Sequence, residues 1–289
     1  MTEEKEAAIS AQSRLSPTSI NSYRACPRCY FLRYVGKVPT LPSIHLIKGR
    51  IVHNVLEDFF KRYRKDLEQS LLDLFNKIWD KNKKELDLLE MSEEDITKHR
   101  NDCIAMVTEY YYMFRRQVDN LIQLGKAENE RHAYFLLKPK FRELWVEDKD
   151  IHCCGYIDRV NEDYDGHITL GDYKTSSKYG LNFPVDYKLQ LAIYALLYRN
   201  QEGLVADEVA VDFLRYGEVN RYEVNDAMLK WAEDVIKDTW EKTRSLDIND
   251  YPANPDCSFK ELCGNNNPEA LKRAEELKAF IKDINKASE

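Results

Sequence analysis

A stretch of twenty residues, from Gly155 to Lys174, limits what this chain can fold into more than any other part. Two runs of alternating apolar and polar residues, 151–160 and 167–173, flank an Asp165–Gly166 pair. Such a pair between two alternating runs is typical of a tight turn joining antiparallel strands. The sequence therefore predicts a β-hairpin here.

Three charged residues of this hairpin indicate chemistry. Asp158 lies near the end of the first run and Asp172 near the end of the second, with Lys174 two residues after Asp172. Asp172 and Lys174 share a face of their strand, and a neighbouring strand can bring Asp158 beside them. Converging carboxylates repel each other unless a cation lies between them, and Mg²⁺ or Mn²⁺ prefers such oxygen ligands. The alternative is a solvated hairpin whose acids merely fall near the turn.

Composition places the chain among globular proteins with a sizeable core. Its 289 residues are 43% hydrophobic and 32% charged, enough for one large domain or two small ones. No apolar run approaches the roughly 18 residues of a membrane span, and the first residues are acidic. We expect a cytoplasmic protein that does not enter a membrane, in which the seven cysteines do not form disulfides.

Charge is spread unevenly along the chain. The net charge is −7, yet residues 14–65 contain eleven Lys or Arg and only two acids, Glu57 and Asp58. A basic N-terminal lobe on an acidic body suits a local binding site for a polyanion. A solvated basic helix face is the alternative.

Two N-terminal segments carry candidate ligands. Pro17 follows Ser16, which predicts a helix start, and Cys26 and Cys29 follow with C-x2-C spacing among aromatic and basic residues. Such aromatics can stack on single-stranded bases, although at helical spacing they more often form core. A second helix is predicted from Lys48 onward; its His53 is either an ordinary helical histidine or a metal ligand.

The order of predicted elements gives the fold class. Strands alternate with helices after residue 130, which implies an α/β core wrapped in helices. No G-x-x-x-x-G-K-[ST] or G-x-G-x-x-G sequence occurs, so an ATP-driven helicase activity in this chain is not expected. We predict a disordered tail and a single domain with these parts: tail, 1–13; basic helical lobe, 14–65; helical insertion, 66–126; α/β core, 130–250; cysteine loop, 251–265; final helix, 266–289.

These motifs together resemble the PD-(D/E)XK nucleases. The motifs that carry the resemblance occur in the family's order: YRACPRCYFLRY, GRIVH with His53, Asp158, Asp172-Tyr173-Lys174, Gln190-x3-Tyr194 and a C-x5-C pair. They are similar to the RecB-like branch, which includes the CRISPR-associated exonuclease with an iron–sulfur cluster. The resemblance covers most of the chain outside residues 66–126. It implies a restriction-endonuclease-like mixed sheet flanked by helices.

The resemblance also implies a role for each matching residue. His53, Asp158 and Asp172 would bind Mg²⁺ or Mn²⁺, with the Tyr173 carbonyl as a further ligand. Lys174 would position or activate the attacking water, and Gln190 and Tyr194 would orient Lys174 and contact the DNA strand. Glu143, in the run before the hairpin, is a further acid that could assist the site.

The cysteines depart from the family pattern. Many members of this branch hold a [4Fe–4S] cluster with one N-terminal cysteine and three C-terminal ones in C-x2-C-x5-C. Asn254 stands where the first of those three would be, whereas Cys29 adds a second N-terminal thiol. Four thiols remain that could hold a [4Fe–4S] cluster or Zn²⁺, or could simply be buried: Cys26, Cys29, Cys257 and Cys263.

The function that the resemblance implies is a metal-dependent DNA exonuclease. It would hydrolyse phosphodiesters of single-stranded DNA or duplex ends, in recombination, repair, viral replication or CRISPR adaptation, alongside proteins of those processes. Two alternatives stay open at this point. One is a nuclease-derived subunit that binds DNA or a partner without cutting, and the other is a structure-specific endonuclease.

Overall fold

The computed structural model describes residues 14–37, 43–176 and 185–254. These residues fall into two compact units. Within the described residues, the first unit comprises 14–37, 147–155 and 230–254, and the second comprises 43–146, 156–176 and 185–229.

The first unit begins with short helices at the predicted place. Helix α1 (Pro17–Ala25) and helix α2 (Pro27–Tyr30) are followed by one π-helical turn, Phe31–Val35. Ser16 forms a capping box with Ser19, in which each side chain satisfies the other's backbone N–H. The helix start predicted at this serine and proline is therefore confirmed.

Aromatic residues of the first unit form its core. The Tyr30 ring stacks on the Tyr251 ring with centroids 6.2 Å apart, and Tyr23 meets Tyr30 edge-on at 5.6 Å. Tyr30 and Tyr251 are both buried. Of the two interpretations of this segment, core packing is the one found for Tyr30, because a buried ring cannot stack on a base.

The helices of the second unit that precede the sheet in the chain pack around a large apolar cluster. In chain order they are α3 (Ile44–Phe59), α4 (Leu67–Lys81), α5 (Lys83–Asp87), α6 (Glu93–Gln123) and α7 (Glu130–Leu137). Helix α3 starts before the predicted Lys48 because the Ser43 side chain accepts a hydrogen bond from the Leu46 N–H and caps it there. No helix in the described part of the chain is long and apolar enough to cross a membrane.

A mixed sheet confirms the predicted α/β fold. The strands, in their order across the sheet, are β1 (Phe141–Asp148), β2 (Cys153–Glu162), β3 (Ile168–Lys174), β4 (Glu208–Phe213) and β5 (Glu218–Glu223). Strands β2 and β3 are antiparallel, β3 and β4 parallel, and β4 and β5 antiparallel. Helix α8 (Val185–Glu202) lies between β3 and β4 in the chain, and helix α9 (Asp226–Lys242) follows β5.

The predicted hairpin joins β2 to β3. Gly166 has a φ of +81°, a left-handed conformation that glycine adopts without strain. The Asp163 carboxylate accepts hydrogen bonds from the Asp165 and His167 N–H groups, both at 2.9 Å, and so closes the turn. Local turn chemistry therefore fixes the register of the two strands that carry Asp158 and Asp172.

A buried ion pair ties three strands together on one face of the sheet. Arg159 of β2 lies opposite Gly171 of β3, and its guanidinium donates to both carboxylate oxygens of Asp212 on β4, at 2.8 and 3.0 Å. A Cβ at position 171 would lie only 2.7 Å from the Arg159 Cγ. Gly171 therefore leaves the space through which the arginine reaches β4.

A second charged cluster holds helix α3 in place. Lys48, which is buried in α3, pairs with Asp102 of α6. Asp102 also accepts a 2.7 Å hydrogen bond from Arg215, in the segment that follows β4. These cations outweigh the effect of burial and hold the pKa of Asp102 down at about 2. The cluster fixes the helix that carries His53.

Candidate active site

Two aspartates face each other across β2 and β3. The register pairs Arg159 with Gly171, so the residues next to them, Asp158 and Asp172, adjoin on the opposite face of the sheet. Here this face is named the site face. Asp172 is buried, and the Asp158 carboxylate accepts a 2.7 Å hydrogen bond from the Tyr173 N–H. The hairpin thus brings together two carboxylates that are fourteen positions apart in the sequence.

Helix α3 places His53 beside Asp158. Its Nδ1 lies 3.4 Å from an Asp158 oxygen, and its Nε2 lies 3.0 Å from the Tyr173 carbonyl oxygen. Burial alone would lower the pKa of His53, but the Asp158 carboxylate outweighs it and raises the pKa to about 9. The same interaction keeps the pKa of Asp158 below its ordinary value despite burial. Without a metal, the two form an ion pair.

Glu143 completes a group of possible ligands. One ligand atom each from His53, Glu143 and Asp158 lies within 4.8 Å of the others. Glu143 has a φ of +48°, a left-handed conformation that is strained for a side chain of this kind and interrupts β1. Burial, and then the charge of Asp158, raises the pKa of Glu143 to about 7. Strain and a perturbed pKa at one acid are typical of functional sites.

Lys174, Gln190 and Tyr194 form a chain of hydrogen bonds around Asp172. The Lys174 Nζ lies 2.6 Å from one Asp172 oxygen and donates to the Gln190 side-chain oxygen at 2.8 Å. The Gln190 amide donates to the other Asp172 oxygen at 2.8 Å and to the Tyr194 hydroxyl at 2.9 Å. One helical turn separates Gln190 and Tyr194 on α8, which is why both reach the same strand end.

The protonation of this chain follows from its contacts. Burial alone would lower the pKa of Lys174, but Asp172 raises it above its ordinary value, so Lys174 is an ammonium at neutral pH. Burial raises the pKa of Asp172 to about 6. Lys174 can therefore stabilise negative charge at neutral pH, whereas it cannot accept a proton there.

The donor set fits a divalent cation. His53, Glu143 and Asp158 offer one imidazole and two carboxylates around one point, a combination suited to Mn²⁺ and Mg²⁺. The carbonyl of Tyr173 lies next to this group through its contact with His53. Asp172 does not belong to the group, because its carboxylate oxygens face Lys174 and Gln190.

Two features of the site were missed by sequence reasoning. The Tyr187 ring, one turn before Gln190 on α8, lies 4.8 Å from the Lys174 ammonium. The aromatic face attracts the cation and limits where it can move. The Arg159–Asp212 pair supports the site strands from the opposite face. The spacing of Tyr187 from Gln190 was a usable signal, whereas no local pattern connects Arg159 with Asp212.

The candidate cysteine site is described only in part. Cys26 is buried, and Cys29 and Leu32 pack against it. The Asn254 N–H lies 3.4 Å from the Cys26 sulfur, so the segment that precedes the C-terminal cysteines runs beside the N-terminal pair. Cys257 and Cys263 lie outside the described residues. Cys103 and Cys153 are buried core residues, and Cys154 lies on β2.

A mixed sheet that carries a candidate cation site and an adjoining lysine suits metal-assisted cleavage of phosphodiesters. Residues 14–264 match the model of the PD-(D/E)XK nuclease superfamily. The match spans well over half of the chain, and the chain belongs to this superfamily. The protein is therefore a nuclease by family, as its motifs predicted.

Individual relatives are distant. The chain is 22% identical over 252 residues to one subunit of an ATP-dependent helicase/deoxyribonuclease from Clostridium perfringens, covering 78% of this chain but only 20% of that protein. It is 23% identical over 253 residues to the Gene 69 protein of Mycobacterium phage D29, covering 78% of this chain and 85% of that protein. The chain thus spans about a fifth of the length of the Clostridium relative.

A solved structure shares the fold. A crystal structure from Eubacterium rectale, described as a "Putative exonuclease", superposes with a TM-score of 0.51 over 92% of this chain and 93% of that one. The identity is 12%, so this likeness concerns the fold alone.

Proposed function

We propose that the protein is a metal-dependent DNA exonuclease that hydrolyses single-stranded DNA or DNA ends. One observation carries the proposal: the group of His53, Glu143 and Asp158 adjoins the Asp172–Lys174 pair on one face of the sheet. Burying this many charged groups together costs stability, and such clusters are typical of functional sites. The deoxyribonuclease named in the Clostridium relative and the exonuclease named in the structural neighbour support DNA and exonuclease action respectively.

Each residue of the site has a distinct role in this proposal. His53, Glu143 and Asp158, with the Tyr173 carbonyl, would hold Mg²⁺ or Mn²⁺, and Asp172 would hold Lys174 beside them. Such a metal, when bound, would supply a water of lowered pKa and stabilise negative charge on the phosphate. Lys174 donates to the phosphoryl oxygens, whose charge grows as water attacks. The Lys174 ammonium is oriented toward the phosphoryl oxygens by Gln190, Tyr194 and Tyr187.

The proposal does not extend to the whole of the larger relative. The chain matches a fifth of the Clostridium protein and contains no G-x-x-x-x-G-K-[ST] loop, so the ATP-dependent helicase activity named for that protein is not part of the proposal for this chain. A role in recombination, repair, phage replication or CRISPR adaptation, with partner proteins of those processes, is proposed on the resemblance alone.

At the cysteines we propose a structural [4Fe–4S] cluster or Zn²⁺, tested by the iron, sulfide and zinc content of protein purified without oxygen.

The reaction type is tested with three forms of one DNA sequence. Linear single-stranded DNA labelled at the 5′ or 3′ end, and a closed single-stranded circle, are incubated with Mn²⁺ or with a chelator. We expect mononucleotide release from the linear forms with metal only, and an intact circle. Cleavage of the circle would establish an endonuclease instead. Binding without cleavage under every metal condition would favour the non-cutting subunit.

The acids of the site predict how pH changes the effect of a metal. Because the pKa values of Glu143 and Asp172 are raised to about 7 and about 6, the folded metal-free protein holds protons that the unfolded chain releases. These two acids therefore contribute stability that is lost as pH rises through about 4 to 7. A bound cation needs Glu143 and Asp158 ionised and His53 neutral, so we expect Mn²⁺ to raise the melting temperature more at about pH 8 than at about pH 5.5.

Thermal unfolding with and without Mn²⁺ at both pH values provides the measurement. Asp158→Asn is the control, because it removes a ligand charge at nearly constant shape, and the metal effect should be lost at both pH values. An equal or larger metal effect at the lower pH would contradict the assignment of His53, Glu143 and Asp158 as ligands.

A further inference from the structure

Two exposed aromatic rings touch each other beside the proposed metal site. Trp145 of β1 and Tyr156 of β2 have ring centroids 4.8 Å apart, with the planes tilted by 57°. Trp145 is 39% exposed and Tyr156 is 52% exposed. Among the described residues, no other two aromatic rings that contact each other are both exposed to this degree.

The pair lies on the site face of the sheet. Tyr156 precedes Asp158 by two residues on β2, so the two side chains point to the same face, about 7 Å apart along the strand. Trp145 follows Glu143 by two residues on β1. Since the backbone of Glu143 interrupts the regular alternation of β1, the face of Trp145 is established by its contact with Tyr156.

Helix α8 of the same unit holds the backbone of Trp145 in position. The Gln201 amide of α8 donates a 3.2 Å hydrogen bond to the Trp145 carbonyl oxygen. The strand segment is therefore anchored while the indole ring is left exposed. Single exposed aromatics are common and need no explanation, but a contacting pair beside a cation site exposes a continuous apolar surface that binding can cover.

We propose that Trp145 and Tyr156 form a stacking platform for an unpaired base of the nucleotide that adjoins the scissile phosphate. This inference rests on the proposed function and specifies its substrate as DNA that is single-stranded at the site. Aromatic rings take any base, because every base has a π-face. Tyr156 lies only two residues, about 7 Å along β2, from Asp158, so the pair adjoins the candidate metal ligands. A base held in a duplex cannot expose its face to these rings.

A purely structural role is the competing explanation. Strand β1 lies at the edge of the sheet, and a cross-strand aromatic pair there stabilises the strand pairing. If the role were purely structural, substitution of either ring would change the stability of the protein. The dependence of cleavage on individual DNA bases would stay the same. The two explanations therefore differ in a property of the DNA and not of the protein.

The test uses DNA from which one base has been removed. Labelled single-stranded oligonucleotides, each with one abasic site at a successive position, are digested with Mn²⁺ and the products are resolved to single nucleotides. We expect wild-type protein to slow by about 5- to 150-fold at one fixed offset from the abasic site, within two nucleotides of the scissile bond. Tyr156→Ala should be slower on intact DNA and show no added pause at that offset.

Matched variants separate stacking from folding. Tyr156→Phe keeps the ring and should keep the pause, whereas Tyr164→Ala removes a tyrosine that is 85% exposed in the β2–β3 turn and should behave as wild type. A fixed pause that persists unchanged in Tyr156→Ala, or no pause at any offset in wild type, would overturn the platform. A lowered melting temperature would show that the Tyr156→Ala protein is unfolded. The pause is then compared between the wild-type protein and Trp145→Phe instead.

Binding distinguishes failure of the platform from failure of the proposed nuclease. Oligothymidylate added to the Lys174→Ala protein should quench tryptophan fluorescence, and Trp145→Phe in the same background should remove most of that change. If wild-type protein cleaves no DNA but this quenching occurs, the platform stands and the nuclease proposal fails. If DNA is cleaved without quenching or pausing, the reverse holds.

Discussion

Replacing Lys174 with alanine is expected to lower kcat for DNA hydrolysis by about 10²- to 10³-fold, with little change in KM. The ammonium lies 2.6 Å from Asp172 and 2.8 Å from the Gln190 oxygen, in a largely buried position. In such surroundings a fixed charge interacts strongly with charge that forms in the transition state. Because this interaction grows during the reaction, its loss should appear in kcat and not in substrate binding.

The measurement is single-turnover hydrolysis of end-labelled single-stranded DNA with saturating Mn²⁺. Lys140→Ala is the matched control, since Lys140 is an exposed lysine of the same unit, paired with Glu162 at the far end of β2. It should retain full activity. A Lys174→Ala protein that remains folded and cleaves DNA at the wild-type rate would contradict the role assigned to the lysine.

Much of the site could be predicted because its signals are local. The Asp165–Gly166 turn and the alternation on either side determine the hairpin, and the hairpin brings Asp158 to Asp172. The spacing of Gln190 and Tyr194 by one helical turn places both on the face of α8 that reaches Lys174. Each of these relations is contained within a few residues of sequence.

What could not be predicted depends on distant contacts or on the backbone. Glu143, a member of the ligand group, has a φ of +48°. The sequence does not signal this conformation, because a positive φ is expected at glycine and this residue is not glycine. Arg159 and Asp212 are 53 residues apart and meet only because β3 and β4 run parallel across the α8 crossover. The contact of Trp145 with Tyr156 depends on the pairing of β1 with β2, and the turn that joins these strands, residues 149–152, contains no glycine or proline that would predict it.

The buried ion pair gives the largest expected effect on stability. Asp212→Ala should lower the free energy of unfolding by about 3–5 kcal/mol, because it leaves the Arg159 guanidinium buried without its carboxylate. The side chains of Arg159 and Asp212 are only 11% and 4% exposed, so solvent screens the charges of this pair little. In the folded protein, burial alone would lower the pKa of Arg159, yet Asp212 keeps it above its ordinary value, so the arginine stays charged.

Chemical unfolding of the metal-free protein measures this effect, with Glu208→Ala as the control on the same strand. Glu208 pairs with Arg221 at 3.1 Å, but their side chains are 30% and 48% exposed, so its loss should cost only about 0–1 kcal/mol. Arg159→Leu combined with Asp212→Leu should recover much of the stability, since neither charge then remains buried. Equal costs for Asp212→Ala and Glu208→Ala would show that Arg159 finds water or another partner. The Arg159–Asp212 pair supports β2, on which Asp158 adjoins Arg159. Asp212→Ala should therefore also weaken Mn²⁺ binding.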